Sequence, residues 1–110
     1  MMKFYLIQKK KDVEAIATFN PTDKSFTVLK GSKVSTTINQ SATFKGARSI
    51  EKQRANGVVV NGIVTQNVPF KSSSTAANFV TGASSNGLIL WKDKSGRSLK
   101  EILSETTNNE

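Results

Sequence analysis

The sequence predicts an α+β domain: a small, mostly antiparallel sheet of about six strands with two main helices packed against it, in the order βββ-α-ββ-α-β-α. Three observations carry that expectation. The chain opens with three runs rich in β-branched and aromatic residues, "KFYLIQ", "VEAIATFN" and "KSFTVLK". Two later segments show helical spacing between recognisable start and stop residues. Two Asn-Gly pairs, at 61–62 and 86–87, mark sharp turns between apolar runs.

Each element follows from local chemistry. Residues 3–8 read as the first strand and 13–20 as the second. "NPTD" supplies a proline-fixed dihedral and two side chains that bond their own backbone, so strands two and three form a hairpin. "SATFKGARSIEKQRANG" reads as a helix with Ser41 as N-cap and Asn56-Gly57 as its left-handed stop. Phe44, Ala47 and Ile50 supply its core face, while Lys45, Arg48 and Lys52 share another. "VVVNGIVTQ" is a hairpin around a type I′ turn. In "FKSSSTAANFVTGASSNGLILWK", Ser72 or Ser73 caps a helix whose apolar face is Ala76, Phe79, Val80 and Ala83. Alanines at 76 and 77 permit close approach to a neighbour. "LILWK" then reads as a buried strand, "DKSGR" as a turn and "SLKEIL" as a short helix. The expected organisation is one domain, 1–103, with a flexible tail at 104–110.

Composition excludes whole classes of chemistry. Cysteine and histidine are both absent, which removes disulfides, thiol chemistry, Ser-His-Asp and Cys-His catalysis, and the usual zinc ligands. No cofactor, metal or catalytic residue is expected. Asp12 and Glu14 would share a strand face, yet beside Lys9, Lys10 and Lys11 they read as surface charges. "GSK" at 31–33 fails as a phosphate loop, because Phe26 stands where the earlier glycine belongs. "SIEK" at 49–52 matches Ser-x-x-Lys but falls mid-helix without its companion motifs. The sequon at 39–41 matters only in a secreted protein. No apolar run reaches the roughly 20 residues of a spanning helix. The opening "MMKFYLIQKKK" places lysines after its apolar patch, the reverse of a secretory signal. The expectation is a cytoplasmic protein without membrane contact.

Binding is what remains. The chain carries 16 basic and 8 acidic residues, a formal charge of +8. Between Lys24 and Lys92 the only carboxylate is Glu51, against nine cations. Such a balance favours a polyanion, nucleic acid above all. Three features are candidate phosphate contacts: the stripe Lys45, Arg48 and Lys52; the corner Lys30, Ser32 and Lys33 around Gly31, whose amides a glycine would expose; and the helix start at Lys71, Ser72 and Ser74. The alternative is a protein-interaction module that binds no nucleic acid. Trp91 reads as a buried anchor rather than a surface for base stacking.

Two blocks resemble a known family. "DVEAIATFNPTDKSFTVLKGSKVS" is similar to a pattern of Asp-x-x-Ala, a turn, and Phe-x-Val-Leu-Lys-Gly-Ser. "FKSSSTAANFVTGASSNGLILWKDKSGRSLKEI" is similar to Phe-x-Ser-Pro-Ser-x-Ala-Ala, Gly-x-Ser-x-Asn-Gly, Trp and Gly-x-x-Leu. The chain thus resembles the bacterial domain of unknown function 4357. That resemblance implies a small α+β module appended in relatives to GIY-YIG-type nucleases and restriction-modification proteins, with a nuclease or methylase as possible partner and no assigned catalytic residues. The matched positions include Gly31, Phe70, Ala76, Ala77, Gly82, Asn86, Gly87 and Trp91, which suit turn geometry, capping and close packing. Ser73 stands where the pattern has proline, and Leu88 where it has tryptophan.

Overall fold

Alternation of apolar and polar residues at the front of the chain builds a long hairpin, β1 (Met2–Gln8) and β2 (Val13–Phe19), in antiparallel register from Met2↔Phe19 to Gln8↔Val13. The computed structural model describes residues 2–39 and 46–108, with side chains of the final helix placed through Ser104. The hairpin's link is one 3-10 turn, Lys9–Lys11, closed by Asp12 in the left-handed region at φ 56°. β3 (Phe26–Val28) pairs with β2, as the "NPTD" turn predicts. In that turn the Asn20 and Asp23 side chains accept the amides of Thr22 and Ser25, both at 2.9 Å. A short strand, β6 (Val68–Phe70), completes an antiparallel sheet of order β1-β2-β3-β6.

The remaining elements are α1 (Ala47–Arg54), the hairpin β4 (Val59–Val60) and β5 (Ile63–Val64), α2 (Ser73–Thr81), α3 (Gly87–Leu90) and α4 (Leu99–Asn108). The architecture is α+β; among the described residues the strands form a four-stranded and a two-stranded sheet rather than one sheet of six. Asn61 and Gly62 both have positive φ, 51° and 76°, as a type I′ turn demands. Asn56 and Gly57 do likewise beyond α1, at 59° and 80°. The expected cap Ser41, together with Phe44 and Lys45, lies outside the described residues. α4 begins where "SLKEIL" predicts and extends into the segment expected as a tail.

Two expectations need correction. "LILWK" is not a strand: Gly87–Leu90 forms one helical turn, started by Asn86, whose Oδ1 accepts the Leu88 amide at 3.1 Å. Only Lys92 keeps strand contacts, isolated antiparallel bridges to Tyr5 and Ser98. A short apolar run does not declare its period, and here the cap and a close contact decided it. The sixth strand is instead "VPF", which carries Pro69. It lies at the sheet edge, where a missing N–H costs no ladder bond.

Burial follows the register. Phe4, Leu6, Val13, Ala15, Ala17, Phe19, Phe26, Val28 and Phe70 turn to one face of the sheet and are buried there. α2 lies against β2, β3 and β6, with Ala76, Ala77, Phe79 and Val80 fully buried. Ala83, expected on that face, is half-buried beyond the helix end. Trp91 is completely enclosed, its ring 5.1 Å from that of Phe26, and its Nε1–H donates to the Ser73 carbonyl at 3.0 Å. A buried indole needs such an acceptor. Gly87 lies so close that an added Cβ would run into the Ser73 carbonyl.

Candidate nucleic-acid interface

Two of the three phosphate-facing features of the sequence, the Lys30–Lys33 corner and the helix start at Lys71, do not meet. Phe26 pairs with Phe70 and Val28 with Val68, so Lys71 follows the end of β6 nearest the start of β3, while Lys30 lies beyond the other end. Five residues of extended chain separate the two ends, about 17 Å. Lys24 belongs with Lys71, and Lys92 sits outside β1, across the sheet from both. Lys30, the Lys24–Lys71 pair and Lys92 therefore lie at three separate places around the sheet.

The Lys30–Lys33 corner holds no free amides. Lys30 N–H donates to Asn67 Oδ1, Gly31 N–H to the Val64 carbonyl, Ser32 N–H to Leu29 and Lys33 N–H to Glu14, at 2.8 to 3.2 Å. Ser32 is buried, and its hydroxyl accepts the Ile16 amide at 3.0 Å and faces the Ile16 carbonyl at 3.3 Å. It behaves as a substitute piece of backbone along β2. What the corner offers outward is two ammonium groups, Lys30 and Lys33. The second pairs with Asp12 at 3.0 Å.

The start of α2 is likewise committed. Ser72 caps its own helix, accepting the Thr75 amide at 3.1 Å, and Ser74 Oγ accepts the Gly87 amide at 3.1 Å. Gly87 is seated on Ser73 and Ser74, so α3 packs against this end. Lys71 and Ser72 are exposed, and Ser74 is half-buried. Arg48 and Lys52 project from α1 into solvent; Lys45, the third member of that stripe, is outside the described residues.

Arg54 is structural. Its guanidinium donates to the Ser35 carbonyl at 2.6 Å and to the Phe79 carbonyl at 2.6 and 3.1 Å, and lies over the Phe79 ring at 5.6 Å. Burial lowers its pKa from the ordinary guanidinium value. The fork ties α1 to the last turn of α2 and to the loop after Val34.

A different cluster does form. An antiparallel bridge joins Glu14 to Lys33, its two N–H···O bonds both 3.0 Å, and carries the lysine corner against the start of β2. Lys9, Lys10 and Lys11 occupy the adjoining β1–β2 turn, all exposed. Five lysines thus share one end of the sheet: Lys9, Lys10, Lys11, Lys30 and Lys33. Beside them opens a cleft of about 580 Å³, lined by Lys10, Lys11, Asp12 and the hydroxyl-rich loop Ser35–Thr37. Lys11 Nζ donates to the Thr81 carbonyl at 3.4 Å, a cation at the negative end of α2. Asp12 stands in the turn, so it does not share a strand face with Glu14 as period-two spacing suggested. Counting charge within residues 24–92 hides this cluster; the triple lysine in a hairpin turn was its available signal.

Among the described residues no group of His, Cys, Asp or Glu could hold a metal ion, and no helix is long and apolar enough to cross a membrane. The family model of a domain of unknown function, DUF4357, matches residues 6–103, from β1 into α4. The chain belongs to the DUF4357 family. No curated protein and no solved structure matches it. Within this DUF4357 domain, the motif positions of the second block are framework. Gly82 caps α2 at φ 74°, where a Cβ would strike the Thr37 carbonyl. Asn86 caps α3, Gly87 admits close packing, and Trp91 fills the core. Leu88, the residue after Gly87, is exposed at 38%.

Proposed function

We propose that this DUF4357 domain is a non-enzymatic accessory module that contacts nucleic acid phosphates through the lysine-bearing end of its sheet. The observation that carries the reading is the meeting of two loops, distant in the chain, which bring Lys9, Lys10, Lys11, Lys30 and Lys33 together. Asp12 neutralises one of them through its 3.0 Å pair with Lys33, and the chain's net charge of +8 supplies the long-range attraction. Lysines are adaptable point charges, suited to phosphate rather than to reading base edges.

The test is binding to short duplex and single-stranded DNA across a salt series. Affinity should fall steeply with salt, and Lys9→Ala/Lys10→Ala/Lys11→Ala should flatten the slope by up to about 0.9 per lost duplex contact. Arg48→Ala/Lys52→Ala, on α1, should leave it unchanged. Binding that is absent at about 50 mM salt, or indifferent to salt, sinks the reading.

A second reading, a protein-interaction surface, draws on one feature: adjacent Leu88 and Ile89 on α3 are 38% and 50% exposed. Under it, Leu88→Ser/Ile89→Ser would abolish association with a fused or companion nuclease or methylase, and the lysine variant would not.

A further inference from the structure

Antiparallel partners share a face, so the register also defines the side of the sheet turned away from α2. One row there is Lys92, Tyr5 and Ile16; the next is Lys3, Thr18, Thr27 and Pro69. Tyr5 is the chain's only tyrosine. Among the described residues it is also the only aromatic side chain that is not buried: Phe4, Phe19, Phe26, Phe70, Phe79 and Trp91 all lie in the core. Its backbone is fixed on both sides. It pairs with Ile16 across the hairpin and exchanges two hydrogen bonds with Lys92, at 2.7 and 2.9 Å. The ring therefore stands on rigid strand rather than on a loop.

Beside it opens a cleft of about 390 Å³, lined by Met2, Lys3, Phe4, Tyr5, Asp93 and Lys94. That volume falls within the usual range for small-ligand sites. Three lysines flank Tyr5: Lys3 two residues back on the same strand face, Lys92 as its bridge partner, and Lys94 in the lining of the cleft. The one carboxylate, Asp93, is committed to its own turn. It accepts the Ser95 and Arg97 amides, both at 2.9 Å, and pairs with Arg97 Nε at 3.4 Å.

We propose that Tyr5 is a stacking platform for an unpaired base, and that a single-stranded nucleic acid runs along β1 from Lys3 and Lys94, past Tyr5, to Lys9. The proposal rests on the nucleic-acid reading above and sharpens it from phosphate contact to strandedness. Six residues of strand separate Lys3 from Lys9, about 20 Å of track. Along it Lys3, Lys94 and Lys9 complement a sugar-phosphate backbone, with Glu14, exposed opposite Ile7, a carboxylate on the same face, and the partly exposed Tyr5 and Ile16 offer the apolar surface a base needs. A paired base in a duplex has no free face to place there, so the platform selects unpaired strands.

The experiment compares a labelled oligothymidine of about 12 nucleotides with a duplex of the same length, by anisotropy at low salt. Tyr5→Ala should weaken the single strand roughly 5- to 100-fold while leaving the duplex unchanged, and Tyr5→Phe should keep most of the single-strand affinity. Circular dichroism melts of both variants check that the fold persists. Equal single-strand affinity for Tyr5→Ala and the parent overturns the platform, as does an equal loss on duplex and single strand. Should the parent bind neither DNA, the lysine-end reading fails and takes this proposal with it. Salt-sensitive binding that ignores Tyr5 removes the platform alone.

Discussion

Two ends of α2 show how differently one small domain uses its polar residues. At its start, nearly every polar group is spent inside the molecule: Ser72 on the Thr75 amide, Ser74 on the Gly87 amide, Asn86 on Leu88 and the Ser73 carbonyl on the Trp91 indole. At the opposite end, around the β1–β2 turn, lysines dominate: Lys9, Lys10 and Lys30 are exposed, while Lys11 reaches the Thr81 carbonyl and Lys33 pairs with Asp12. The first region is assembled from small and hydroxylated residues and is closed. The second is assembled from long cations on a rigid frame and is available. Motif residues of the second block therefore mark the framework of this fold, while exposed lysines gather at the other end of α2, where the first block contributes Lys30 and Gly31.

That contrast can be broken by substitution. Trp91→Ala should have the largest effect, removing a completely enclosed ring and leaving the Ser73 carbonyl without its donor, at a cost of about 3–5 kcal/mol in chemical denaturation. Retention of most stability would mean the junction repacks and is less closed than described. Gly87→Ala should cost about 1–3 kcal/mol or more, because the new methyl meets backbone rather than a movable side chain. Ser72→Ala removes the α2 cap and should cost about 1 kcal/mol. The Lys9/Lys10/Lys11→Ala variant lies at the far extreme. Its stability should stay within about 0.5 kcal/mol of the parent while its DNA affinity falls. A large loss of stability there would reassign those lysines to the framework.

Much of the fold is legible in the sequence because local signals agree with one another. Alternation defines β1, β2 and β3, positive-φ Asn-Gly chemistry defines the β4–β5 turn, and a serine cap with helical spacing defines α2. The apolar run 88–91 is misread because four residues cannot distinguish a helical turn from a strand, and the arbiter was contact between Gly87 and Ser73, fourteen residues earlier. β6 escapes notice because three residues with a central proline carry no strand signature.

The candidate site is less legible, for a related reason. Gly31 reads as a donor of free amides, yet its amide goes to Val64, a partner fixed only by how the second hairpin returns to the sheet. Lysines 30 and 71 flank one strand pair yet lie at opposite ends of it. Charge density along a chain is a one-dimensional quantity, and a surface is not.

The small hairpin is sewn to β2 through residues 31–34. Val34 N–H reaches the Gly62 carbonyl, Val64 N–H reaches Ser32, and Lys33 bridges Glu14 on one flank and Ile63 on the other. Mechanically this seam is a laminate. A load applied to the ammonium tips passes through main-chain bonds into the longest strands of the molecule, so the anchorage stays stiff while only the tethers bend.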